Sequence, residues 1–92
     1  RPGLLRLGYF GSYARGDAGV GSDLDLVAVV ESSALPFERR AAEWDLTRLP
    51  VPAEVLVHTA AEWAAMEGRG DRFARVLQTD AVWVFDRRPR GR

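Results

Sequence analysis

The chain contains no cysteine, which rules out a disulfide scaffold and a thiolate metal site and fits a reducing compartment. Lysine is missing too: all thirteen basic residues are arginine. A phosphate bound here must therefore be met by backbone amides, metal or guanidinium groups, never by a P-loop lysine. Long apolar runs are also lacking. No stretch approaches the length of a membrane-spanning helix and no signal-peptide pattern opens the chain, so a soluble cytoplasmic protein without membrane contact is expected. Neither sign of charge prevails, because 13 basic and 13 acidic residues leave a formal net charge of zero. Nothing global therefore indicates nucleic-acid binding. At 92 residues the chain is expected to form one domain, residues 1–92. Such a domain buries roughly 60 to 65% of its unfolded surface and leaves no room for a second, acceptor-binding domain.

What is present concentrates between Leu4 and Val30. The apolar run Leu4–Phe10 leads into Gly11-Ser12, and a second run, Leu24–Val30, carries Asp23 and Asp25 at its start. This pattern predicts strand, turn, short helix, loop, strand. Alternation along a strand puts Asp23 and Asp25 on one face, roughly 6.6 to 7 Å apart along the chain. Two carboxylates that close repel unless protonated or bridged by cations. Mg²⁺ suits them, since it takes oxygen ligands from one or two carboxylates and from substrate phosphates. Gly11 allows backbone to approach a ligand closely, and Ser12 with the following amides stands at a helix N-terminus that favours phosphate. Arg15 is the nearest cation for a phosphate; as a surface residue it would instead pair with Asp17.

Gly11-Ser12, ten residues, then Asp23-x-Asp25, with Ala14-Arg15-Gly16 and Ser22 inside, resembles the signature of the minimal nucleotidyltransferases of the polymerase-β-like superfamily. The resemblance implies a third acid on a later strand. Pro52-Ala53-Glu54-Val55-Leu56-Val57-His58 fits, with Glu54 where the family usually has aspartate, and the likeness extends from Leu7 to about Phe85. It further implies that Asp23, Asp25 and Glu54 hold Mg²⁺, two ions in all, and carry catalysis. Gly11, Ser12 and Arg15 would bind an NTP, ATP by the family's habit. The family usually has a helix before its first strand, and here only Arg1-Pro2-Gly3 precedes that strand.

The rest of the chain reads as scaffold. Phe37, Ala41, Trp44 and Arg48 or Leu49 recur at helical spacing, predicting a helix from Phe37 to Leu49, ended by Pro50. Thr59-Ala60-Ala61-Glu62 reads as a capping box opening a helix near Ala60, and Asp71 caps another over Arg72–Thr79. Ala81–Phe85 closes the pattern as a strand. Gathering the acids at one end requires the Asp25 and Glu54 strands to be parallel, with the Phe37–Leu49 helix as a right-handed crossover and the first strand antiparallel. The fold class is thus α/β (α+β), a small mixed sheet with helices packed on it. Trp44 and Trp63 are read as core. His58 falls on the Glu54 face but roughly 13 Å away, too far to share a metal, and reads as a histidine at a strand end. The basic tail Arg87–Arg92 reads as a mobile terminus.

The activity this implies is Mg²⁺-dependent nucleotidyl transfer, AMP from ATP, onto a partner protein such as a HEPN toxin, the family's frequent companion. Two alternatives stand beside it: an antitoxin or binding module that neutralises its partner by contact, and a small-molecule, antibiotic-type adenylyltransferase. A homo-oligomer is compatible with each.

Overall fold

Each apolar run becomes a strand. The computed structural model describes residues 3–87, and in it β1 (Leu4–Phe10), β2 (Leu24–Val30), β3 (Ala53–Thr59) and β4 (Val82–Asp86) form one sheet in the order β3-β2-β1-β4. β1 is antiparallel to both β2 and β4, whereas β2 and β3 are parallel. This is the mixed sheet that gathering the acids at one end requires. Gly8 leaves room for β4 on β1, because a Cβ there would stand 2.7 Å from the Val82 carbonyl oxygen.

Alternation divides the core between the two sheet faces. On one face Leu4, Ala28, Val55 and Val57 are buried, with Trp44 and Leu46 packed against them. On the other, Val27 and Val29 are buried together with Trp63 of α3 (Ala60–Gly68) and Leu77 of α4 (Arg72–Asp80). Full burial of side chains such as Val27, Val29 and Leu77 contributes about 1.5 to 3 kcal/mol each. Both helix starts are as expected. Thr59 and Glu62 form a reciprocal capping box, and the Asp71 carboxylate accepts from the Ala74 N–H at 3.1 Å.

The expected helix over Phe37–Leu49 is corrected. α2 spans Phe37–Arg40, a 3₁₀ turn follows over Ala41–Glu43, and Trp44 is extended. The Asp45 carboxylate accepts hydrogen bonds from both the N–H and the hydroxyl of Thr47, a side-chain turn that competes with helix. The extended path turns Trp44 and Leu46 onto the sheet. Of the basic tail only Arg87 is described, its N–H donating to the Leu5 carbonyl at 2.6 Å; residues 88–92 lie outside the described residues. Among the described residues no helix is long and apolar enough to cross a membrane.

Candidate functional site

At the end of β1 the chain turns through Gly11 with φ 77° and ψ −149°, a conformation open essentially to glycine alone. Space imposes the same identity. A Cβ at Gly11 would lie 2.5 Å from Asp25 Oδ2, so the turn rests directly against that carboxylate. The register explains the contact: Phe10 pairs with Asp25 across β1 and β2, and Asp25 pairs with Glu54 across β2 and β3. Turn and two acids therefore lie side by side on three adjacent strands. The Leu24 N–H donates to the Pro52 carbonyl at 2.8 Å, closing β2 onto the chain entering β3.

Ser12 opens α1 (Ser12–Arg15), whose first-turn N–H groups have no partner within the helix. At its far end the Gly16 N–H returns to the Ser12 carbonyl, Gly16 having φ 81°. Arg15 faces Asp17 at 3.3 Å, both side chains exposed, a pair worth at most about 1 kcal/mol. Before β2, the Ser22 hydroxyl accepts from the Gly19 N–H at 2.9 Å, shaping the loop that delivers Asp23. Asp25 is half-buried, whereas Asp23 and Glu54 are exposed. Among the described residues no group of three or more histidine, cysteine, aspartate or glutamate side chains is placed to hold a metal ion, so Asp23, Asp25 and Glu54 do not form such a group. The paired Asp25 and Glu54 carboxylates nevertheless have the hard oxygen chemistry that Mg²⁺ accepts when phosphate supplies further ligands.

A second group of polar side chains went unread in the sequence. Arg40 is buried and bidentate: Nη1 donates to Glu62 Oε1 at 2.5 Å and Nη2 to Oε2 at 2.9 Å, while Nε and Nη1 also reach the carbonyls of Leu35 and Val57. The paired guanidinium holds the Glu62 carboxyl at about 2, well below the usual carboxylate range, and Glu62 in turn raises Arg40. Thr59-x-x-Glu62 signalled the cap, but nothing near Arg40 signalled its partner. His58 is buried against Phe37, Trp63 and Phe73, with ring centroids at 5.0, 6.0 and 6.5 Å. Burial lowers its affinity for a proton, more than the nearby Glu62 restores it. His58 stands second to last in β3, at the opposite end from Glu54. Trp63 is core, as read, edge-on to Trp83 at 5.9 Å.

Comparison with known proteins places this arrangement. A solved structure described as "Crystal structure of the toxin-antitoxin with AMP-PNP" shares the fold, with a TM-score of 0.56 and 17% identity over 94% of this chain and 64% of that one. This chain thus matches less than two thirds of that protein's length. A search of curated proteins gives no match. The family described as nucleotidyltransferase domain matches residues 2–76, a span that contains the Gly11 turn and all three acids. Matched over most of its length, the chain belongs to the nucleotidyltransferase-domain family.

Proposed function

We propose that this domain moves AMP from ATP onto a hydroxyl of a partner protein, with a HEPN-type toxin as the partner that the family resemblance implies. The observation that carries this reading is the contact of the Gly11 turn with Asp25, itself in register with Glu54. A triphosphate seated on the first-turn amides of α1 would lie beside two carboxylates, where charge must be neutralised for reaction. Asp25 and Glu54, with Asp23 from the adjoining loop, would hold Mg²⁺, which when bound offsets phosphate charge. The acceptor oxygen attacks the α-phosphorus, the bond to the bridging oxygen of pyrophosphate breaks, and Glu54 takes the acceptor's proton. Gly11 and Ser12 hold the β and γ phosphates in line, so positioning supplies much of the effect. The adenine nucleotide and the toxin–antitoxin setting named for the structural neighbour agree with this choice of donor and partner.

The test combines binding with transfer. Mg²⁺ and ATP at a hundred times Kd should stabilise the fold by about 2.7 kcal/mol, read as a rise in melting temperature. Asp25→Asn should lose that rise and lower labelling of a candidate toxin from radiolabelled ATP roughly hundredfold or more. Unchanged labelling in Asp25→Asn would overturn the mechanism. A second reading, neutralisation by contact alone, is favoured by the extra methylene of Glu54 at the place where the family usually has aspartate. Glu54→Gln separates the two, since full inhibition of the toxin with lost labelling is the result contact alone predicts.

A further inference from the structure

The outer face of α4 carries charges that its own helix disfavours. Arg72, a cation, opens the helix and Asp80, an anion, ends it, with no acidic residue in the first turn and no basic one in the last. A helix is positive at its N-terminus and negative at its C-terminus, so both charges stand at the wrong pole. Among the described residues neither side chain makes an ion pair or a hydrogen bond. The Asp71 carboxylate in front of Arg72 is already engaged by the Ala74 N–H and by Arg69. We propose that this face packs against the same face of a second copy of the chain, the two α4 helices running antiparallel about a twofold axis at Val76. The contact does not depend on the nucleotidyl transfer proposed above.

Spacing makes the face self-complementary. Arg72, Val76 and Asp80 follow one another at four-residue steps and so form one ridge of the helix, positive, apolar and negative in order. Turned about a twofold axis through Val76, the same ridge reads negative, apolar and positive. Arg72 of each copy then faces the carboxylate that ends the other copy's α4, and the two Val76 side chains meet on the axis. Such a contact requires only that one patch complement itself. The antiparallel arrangement also sets the N-terminus of each helix beside the C-terminus of the other, which compensates the misplaced charges.

Shape and charge both select this occupant. Val76 is 43% exposed, Arg72, Arg75, Thr79 and Asp80 are exposed beside it, and these five residues border one open groove of about 390 Å³. Ala74 and Leu77 are buried on the inner side of the helix, so the outer side is free to meet a neighbour. A partner of one charge sign would satisfy one end of the ridge and be repelled by the other, whereas a second copy satisfies both. With a formal net charge of zero, two copies approach without long-range repulsion. A helix of 9 residues offers roughly 13.5 Å of contact, short of a standard interface, so association is weak, with Kd of roughly 0.1 mM.

The test reads mass without nucleotide, so failure of transfer and failure of the contact are distinguishable. Sedimentation equilibrium of the wild-type chain from about 10 μM to about 1 mM should pass from the mass of one chain toward that of two. Arg72→Asp and Asp80→Arg should each weaken association roughly tenfold or more, because each turns both attractive pairs into repulsive ones. Mixed in equal amounts, the two variants should associate with each other, since every carboxylate then faces a guanidinium again, and Arg72→Asp combined with Asp80→Arg should recover self-association. Both substitutions relieve the dipole of α4, so the dilute variants should melt no lower than wild type, which separates lost contact from lost folding. Wild type that stays a single chain at about 1 mM, or association that the single variants leave intact, would overturn the second copy on this face. Single variants that lose association but fail to associate with each other would overturn the antiparallel pairing. A monomeric wild type whose capture of a candidate toxin is weakened by Val76→Asp would assign the face to that protein instead.

Discussion

Gly11 meets two constraints at once, a backbone angle that other residues avoid and a carboxylate where a side chain would begin. Gly21 meets only the first: its φ is 87°, but a Cβ there would find open space. The pair therefore separates strain from contact. Gly11→Ala should lower stability, measured by urea unfolding, by about 1 to 3 kcal/mol from strain plus the displacement of Asp25, and should remove stabilisation by Mg²⁺ and ATP. Gly21→Ala should cost only the strain and keep the ligand response. An equal response in both variants would mean that contact with Asp25 is irrelevant to binding. The glycine turn was legible from the strand that precedes it and the short helix that follows. Its contact with Asp25 was not, because that depends on which residue of β2 stands opposite Phe10.

Among the elements, α2 departs most from its pattern. Helical spacing from Phe37 to Leu49 gives way after one turn, where Arg40 reaches Glu62 and the Val57 carbonyl and Asp45 captures Thr47. Glu62 thus closes the cap of α3 and anchors α2 with one carboxylate. Arg40→Met keeps the aliphatic stem but leaves Glu62 without its partner. Since the arginine side chain is 6% exposed and the glutamate 41%, the loss should fall below that of a fully buried pair, at about 2 to 3 kcal/mol. Urea midpoints would measure it, and a change under about 0.5 kcal/mol would show that the pair is not needed to hold α2. Sequence revealed the capping box because its partners are three residues apart. Arg40 and Glu62 are 22 apart, a distance that only folding closes.

For the molecule as a whole, acid should act in two stages. His58 binds a proton less readily when folded, facing Glu62, Arg40 and Asp71, so below its ordinary pKa of 6.5 protons favour the unfolded chain and stability falls. Glu62 titrates near 2 when folded against 4.5 ordinarily, so its contribution is present above about 4.5 and is lost as pH falls toward 2. Melting temperatures should therefore decline from about pH 6.5 downward, and His58→Phe should remove the upper stage while keeping the lower. If wild type and His58→Phe melt with the same pH profile between 7.5 and 5, the imidazole is not held neutral by the fold. Sequence by itself determined the strands, the caps of α3 and α4, the parallel pairing of β2 with β3 and the family, because apolar runs, capping pairs and a compact motif are properties of near neighbours. Tertiary structure alone decided the shortened α2, the Arg40–Glu62 pair, the burial of His58 and the seating of Gly11 on Asp25. Each joins residues far apart in the chain, and their contact depends on strand register and on how the two sheet faces are covered.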